Sequence, residues 1–162
     1  SLGAQQINAA INIMMSKHEL ENIEVIHQVG KGNLQTVDAK DYNQMEYIDD
    51  MQSLYRWSNI IICRAGASTI SELRIVKKPT ILIPFPNASD NHQYHNAVEL
   101  KQENGFFVDI LDHSIKGEEL AELITKSIEN IQENSLYYQN EVNISNASNK
   151  IKKEILKYVR NK

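Results

Sequence analysis

Short apolar runs rich in β-branched residues alternate with helical periods along most of this chain, and that alternation constrains its fold more than any other feature. The β-like runs fall at 23–29 (IEVIHQV), 44–48 (QMEYI), 59–63 (NIIIC), 79–85 (PTILIPF) and 106–110 (FFVDI). Helical spacing occupies the first fifteen residues, with Ile7, Ile11, Met14 and Met15 on one face, and returns at 49–58, 68–76, 91–103 and 117–131. Asn104 and Gly105 suit the end of the fourth of these helices. Beyond about Leu136 the chain is polar, with Ile144, Ile151, Ile155, Leu156 and Val159 spaced for one or two more helices. Strand and helix in alternation with short connections predict an α/β fold, a doubly wound parallel sheet of Rossmann-like type, with residues 1–162 forming one domain. The run 59–63 suits a strand buried on both faces. In such a sheet ligands bind outside the carboxyl ends of the strands, so the turns at that edge carry the functional expectations.

The chain begins without a methionine, and Ser1, Leu2 and Gly3 read as a turn entering the first helix. A strand is expected before that turn, so the chain reads as a fragment. A formal charge of -4 argues against a nucleic-acid partner, whose recognition needs a basic face. The single cysteine, Cys63, excludes an internal disulfide and reads as a small buried residue at a strand end. No apolar run approaches the roughly 18 residues of a membrane span. Trp57 is expected to pack a helix onto the sheet.

The turn after the third β-like run, CRAGASTISEL (63–73), is richer in small residues than a reversal requires. A helix starting at Ala67, Ser68 and Thr69 presents unpaired N–H groups and a partial positive charge, which can hold a phosphate without a basic side chain. Glu72, one turn on, can accept hydrogen bonds from two ribose hydroxyls. The competing reading is a capping box, with Ser68 or Thr69 as N-cap and Glu72 reaching back to the cap amide. The local sequence favours the box.

The stretch 89–97 (SDNHQYHNA) sets Asp90, His92, Gln93, His95 and Asn96 after the fourth run. It reads as a cap followed by solvated polar residues, as a hydrogen-bonding wall for a sugar, or as a metal site on Asp90, His92 and His95, the last being the weakest. Gly30, Lys31 and Gly32 end another run but lack the spacing of a phosphate-cradling P-loop, and read as a mobile loop.

Taken together, Ser1, Leu2, Gly3 and Ala4 with Asn8, the run His27, Gln28, Val29, Gly30 and Lys31, YIDDM (47–51), CRAGASTISEL and NHQYHNA resemble the carboxy-terminal domain of the MurG glycosyltransferases. That family adds N-acetylglucosamine to lipid-linked muramyl pentapeptide in bacterial cell-wall synthesis. The resemblance covers nearly the whole chain in the right order. It implies the carboxy-terminal half of a GT-B fold, two doubly wound domains facing across a cleft, with no metal and no cofactor.

It further implies that the domain holds UDP-N-acetylglucosamine. The main chain of Ile48 would take the uracil. The turn and helix start from Ala67 through Ser68 to Thr69 would face the diphosphate, Glu72 the ribose, and Gln93 with His92 beside it the sugar hydroxyls, and Gly66, Ile70 and Ser71 count among the UDP-N-acetylglucosamine-binding residues. Ser1 would help line the nucleotide site. His92 departs from the glutamine found in some members. The acceptor site, the catalytic base and membrane contact are expected in an amino-terminal domain outside this sequence, so no catalytic residue is assigned here. The implied enzyme is an inverting, metal-independent hexosyltransferase, cytoplasmic and peripheral on the inner face of the bacterial membrane. Two alternatives stay open: a related transferase with another lipid acceptor, and a non-catalytic UDP-sugar-binding subunit.

Overall fold

A computed structural model of the chain describes residues 5–17, 23–86, 89–103 and 108–133. Ser1, Asn104, Gly105, Phe106, Phe107 and the tail after Leu136 lie outside the described residues. The order of elements is α1 (Gln5–Lys17), β1 (Val25–Gln28), β2 (Tyr42–Met45), α2 (Met51–Trp57), β3 (Ile61–Cys63), α3 (Ala67–Val76), β4 (Thr80–Leu82), a 3-10 turn (Ser89–Asn91), α4 (His92–Gln102), β5 (Val108–Ile110) and α5 (Gly117–Glu133). The α/β class and parallel pairing expected from the alternation hold. The strands form two ladders, β1 with β2 and β3–β4–β5, every pairing parallel.

Side chains of the three-stranded ladder alternate cleanly between two helical layers, as the strand period of two requires. Ile62, Ile81 and Ile83 join the core built by α1 and α5, including Ile7, Ile11, Met14, Leu120 and Ile124. Ile61, Cys63 and Leu82 turn the other way, onto Ile70 and Leu73 of α3 and Ala97 and Leu100 of α4. Both faces are therefore covered. Arg74 ties the second layer together, its guanidinium reaching Glu99 at 3.1 Å and Glu103 at 2.8 Å on α4.

Several boundaries differ from the sequence expectation. The second strand lies upstream of 44–48, because Tyr42 docks into a buried polar cluster and Asp41 accepts the Val25 amide at 2.8 Å. Strand β3 is half-buried along its length, unlike the run expected to be buried on both faces, and strand β4 takes that role with all three residues buried. Trp57 is 46% exposed instead of packed onto the sheet. The Gly30–Gly32 segment is held in place. Both glycines take the left-handed φ that other residues resist, the Gly32 amide donates to Glu46 at 2.6 Å, and the Asn33 amide closes the turn on Gly30.

Candidate functional site

The candidate site gathers at the carboxyl edge of the strands, where α3 and α4 begin. Helix α3 starts at Ala67 with Gly66 as its N-cap, in extended backbone (φ -67°, ψ 150°) and with no side-chain cap. This removes the capping-box reading: neither Ser68 nor Thr69 is the cap, and Glu72 does not reach back to the cap amide. The Ile70 amide is the first to bond inside the helix, to the Gly66 carbonyl at 2.9 Å. The amides of Ala67, Ser68 and Thr69 precede it, so this helix start keeps unsatisfied donors and the positive end of its dipole at the edge. Ala67 and Ser68 are exposed, Gly66 and Thr69 partly so. Ile70 turns inward, 2% exposed, and contributes packing. The Ser71 hydroxyl donates to the Ala67 carbonyl at 3.0 Å, bracing the first turn.

Gly66 is informative for what does not explain it. Its φ is negative, and a Cβ built on it meets nothing closer than Thr69 Oγ1 at 3.9 Å, an ordinary contact. Neither backbone conformation nor a protein neighbour demands glycine here. What a missing side chain provides at such a position is close approach of something from outside.

Glu72 projects from α3 towards α2, where Tyr55 donates its hydroxyl to Oε2 at 2.7 Å. Burial, reinforced by that bond and by the Glu72 charge, pushes the Tyr55 hydroxyl well above the usual phenol range, so it remains a donor. Glu72 stays exposed, so the carboxylate is aimed by Tyr55 yet open to solvent. The Ile48 amide is already engaged, donating to Gln28 Oε1 at 3.0 Å. Gln28 therefore fixes the loop after β2, and the Ile48 carbonyl is the main-chain group left there for a ligand.

At the start of α4, Asp90 (φ 53°) and Asn91 (φ 54°) are both left-handed. Two successive non-glycine residues in that region store strain of the kind that collects at binding sites. Gln93 Oε1 accepts the Phe85 amide at 3.0 Å, which leaves its amide nitrogen as the group to present outward. His92, Tyr94 and His95 are exposed. Asn96 turns inward, its side chain donating to the Ala65 carbonyl at 3.1 Å and so steadying the turn before α3. Among the described residues no three His, Cys, Asp or Glu side chains gather as metal ligands.

Asn8, His27 and Arg64 stand in the stretches that carry the family resemblance, but their part in positioning this edge was not read from the sequence. Arg64 Nη1 donates to the carbonyls of Ile83 (2.9 Å) and Pro84 (3.1 Å), and its guanidinium lies 5.5 Å from the Phe85 ring centre, pinning the end of β3 to the end of β4. His27, buried in β1, lies 3.0 Å from Asn8 Oδ1 through Nε2 and 2.7 Å from the Tyr42 hydroxyl through Nδ1. Asn8 donates its own amide to the Val29 carbonyl at 2.9 Å, so its oxygen is the atom turned to His27. Tyr42 continues the network to Asn12 at 2.6 Å. These bonds fix the start of α1 against the carboxyl end of β1.

Fold and edge geometry define a doubly wound α/β domain whose strand-end edge is built from helix starts and one aimed carboxylate. The family comparison places it more closely. The profile described as "Glycosyltransferase family 28 C-terminal domain" matches residues 1–156, and the chain belongs to that family. The UDP-N-acetylglucosamine--N-acetylmuramyl-(pentapeptide) pyrophosphoryl-undecaprenol N-acetylglucosamine transferase of Shewanella sediminis is 42% identical over 117 residues, covering 67% of this chain and 32% of the relative. The enzyme of the same name from Shewanella frigidimarina is 39% identical over 144 residues, covering 82% and 38%. The crystal structure of Acinetobacter baumannii MurG superposes with a TM-score of 0.65 at 26% identity, covering 77% of this chain and 37% of that one. The chain thus spans about a third of the length of the curated relatives it matches.

Proposed function

We propose that this chain is the donor-binding half of an inverting glycosyltransferase that takes N-acetylglucosamine from UDP-N-acetylglucosamine and delivers it to lipid-linked muramyl pentapeptide. The observation that carries the reading is the uncapped start of α3 at Gly66 with Glu72 aimed by Tyr55 beside it, in a chain about 40% identical to transferases named for that reaction.

The chemistry follows from that geometry. The acceptor hydroxyl attacks the anomeric carbon, the glycosidic oxygen of the sugar leaves with UDP, and configuration inverts. Negative charge grows on the departing diphosphate. The amides of Ala67, Ser68 and Thr69 are already oriented for it and need no reorganisation as it develops. Glu72 accepts from the ribose hydroxyls, the Ile48 carbonyl takes the uracil N–H, and Gln93 with His92 faces the sugar. The family resemblance adds Ser1 to the proposed nucleotide site. The general base, the lipid acceptor and contact with the inner face of the membrane belong to a further domain of the full enzyme. Among the described residues no helix is long and apolar enough to cross a membrane.

Calorimetric titration of this chain with UDP-N-acetylglucosamine tests the reading. Saturable binding that Glu72→Ala weakens about tenfold, with UDP-glucose competing poorly, is the expected result. Equal affinity for both sugars would instead favour a related transferase with another substrate pair. No binding to the folded chain at millimolar donor would overturn the assignment of the site to this domain.

A further inference from the structure

Two glutamines at the strand-end edge are oriented in the same way. Gln93 Oε1 accepts the Phe85 amide at 3.0 Å, and Gln28 Oε1 accepts the Ile48 amide, also at 3.0 Å. A carboxamide whose oxygen is held by a main-chain N–H has its orientation settled, and its NH2 group remains as a donor. Gln28 ends β1 as an exposed residue between the buried His27 and Val29. Its Nε2 bonds to none of the described residues.

The loop that Gln28 touches does not depend on it alone. Glu46 accepts the Gly32 amide at 2.6 Å, and Asp50 accepts the Ser53 amide at 2.9 Å. The stretch from β2 to α2 is therefore anchored on either side of Ile48, which makes a purely structural role for Gln28 redundant. Gln28 and Ile48 also share a cavity wall with Thr69 at the start of α3 and with Tyr55, the residue that aims Glu72. The glutamine thus stands among the groups assigned to the nucleotide.

A pyrimidine edge distinguishes a donor beside a carbonyl from other pairs. Uracil sets a carbonyl oxygen on each side of its N3–H, whereas cytosine has an unprotonated N3 and an amine at C4. Of uracil's two oxygens, O2 adjoins the ribose-bearing nitrogen, and the ribose is assigned to Glu72 on α3, so O4 is the one left for a group on β1. We propose that Gln28 is a specificity-determining residue of the nucleotide site: its Nε2 donates to O4 of the base while the Ile48 carbonyl accepts from N3–H, an inference that rests on the UDP-sugar reading of Ile48 and Glu72. Cytosine reverses both contacts. Amine then faces amine and lone pair faces carbonyl, and polar groups are desolvated without partners.

Calorimetric titration of the chain and two variants with UDP and CDP tests this. Gln28→Glu keeps an oxygen for the Ile48 amide but replaces the donor by an acceptor, and Gln28→Met removes both without adding charge. Repulsion of the diphosphate or a loosened loop would lower both affinities alike and leave their ratio unchanged. The parent is expected to prefer UDP to CDP by about a hundredfold, and each variant to lose about tenfold or more of that preference. The parent should also bind 4-thio-UDP, in which a weakly accepting sulfur replaces O4, several-fold less tightly than UDP, a difference absent in Gln28→Met. A UDP-to-CDP ratio unchanged in either variant, or an equal 4-thio-UDP penalty in parent and Gln28→Met, would overturn the role of Gln28 and leave the donor site in place. No UDP binding by the folded parent would overturn the donor-site reading and this inference with it.

Discussion

The hydroxyl of Tyr55 on α2 donates to Glu72 Oε2 on α3 at 2.7 Å, so the carboxylate assigned to the ribose is aimed by a residue from another helix. A free glutamate on an exposed helix turn samples many rotamers, and fixing it in advance lowers the entropy lost when a ligand binds. Tyr55→Phe removes that bond and keeps the ring. Donor affinity is expected to fall about three- to tenfold, the worth of one hydrogen bond of about 0.5–1.5 kcal/mol. Glu72→Ala should cost at least as much, and the double variant no more than the larger single effect if Tyr55 acts through Glu72. A calorimetric double-mutant cycle reads this, and strictly additive losses would show Tyr55 acting independently of Glu72.

How far the sequence carried the fold depends on where its signals lie. The helices were legible because apolar spacing at 3.6 residues is written locally, as in α5, and the order of elements followed from it. The start of α3 was legible as a cluster of small residues. What stayed hidden depends on contacts across long separations. Tyr42 extends β2 upstream because it bonds to His27 and Asn12, fifteen and thirty residues away. Tyr55 reaches Glu72 and Arg64 reaches Ile83 in the same way. Local pattern also weighed the capping box above the open helix start, since Ser, Thr and Glu at that spacing fit both. The half-burial of Ile61 to Cys63 had no local signal either.

His27 makes stability pH-dependent. Burial lowers its pKa from 6.5 to about 4, so the folded protein holds the ring neutral while the unfolded chain takes up a proton near pH 6.5. Between those values the unfolded state binds more protons, and stability falls as pH falls. The contribution is fully present above about pH 6.5 and is lost progressively as pH falls towards 4. Asp50 and Asp112 are held below the ordinary carboxylate range by hydrogen bonds from Ser53 and Ser114, and add to acid sensitivity lower down. Urea unfolding at pH 7 and pH 4.5 separates the two. His27→Gln should be less stable at pH 7 and show a smaller drop between the two pH values. An identical drop in both proteins would locate the acid sensitivity elsewhere.

Cys63 is expected to be inert while the protein is folded. Burial first, and the Glu72 charge second, push its thiol up to about 12, so almost no thiolate exists at pH 8. Labelling with an aromatic disulfide reagent at pH 8 should proceed at the rate of unfolding and become immediate in denaturant. Stoichiometric labelling of the native protein within minutes would show that the half-buried thiol ionises far more readily than its raised pKa allows.

The same substitution at two glycines should have opposite consequences. A Cβ on Gly117 would meet Met14 N and Ile13 Cγ2 at 2.7 Å and Ala10 O at 2.8 Å. Two of those atoms are backbone of α1, so the clash cannot be relieved by a rotamer change, and α1 must move off the start of α5 together with the core between them. Gly117→Ala is expected to cost about 2–3 kcal/mol by overpacking, despite alanine's better helix propensity. A Cβ on Gly66 meets only Thr69 Oγ1, at 3.9 Å. Gly66→Ala should therefore cost no more than about 1 kcal/mol, the difference between a tolerated and a poor N-cap. Its effect should appear in binding, as a methyl group placed where the diphosphate is proposed to approach the helix start, with donor affinity lowered tenfold or more. Denaturant unfolding and donor titration of both variants make the comparison. A Gly66→Ala protein that binds donor like the parent would remove the diphosphate from this helix start, whatever its stability.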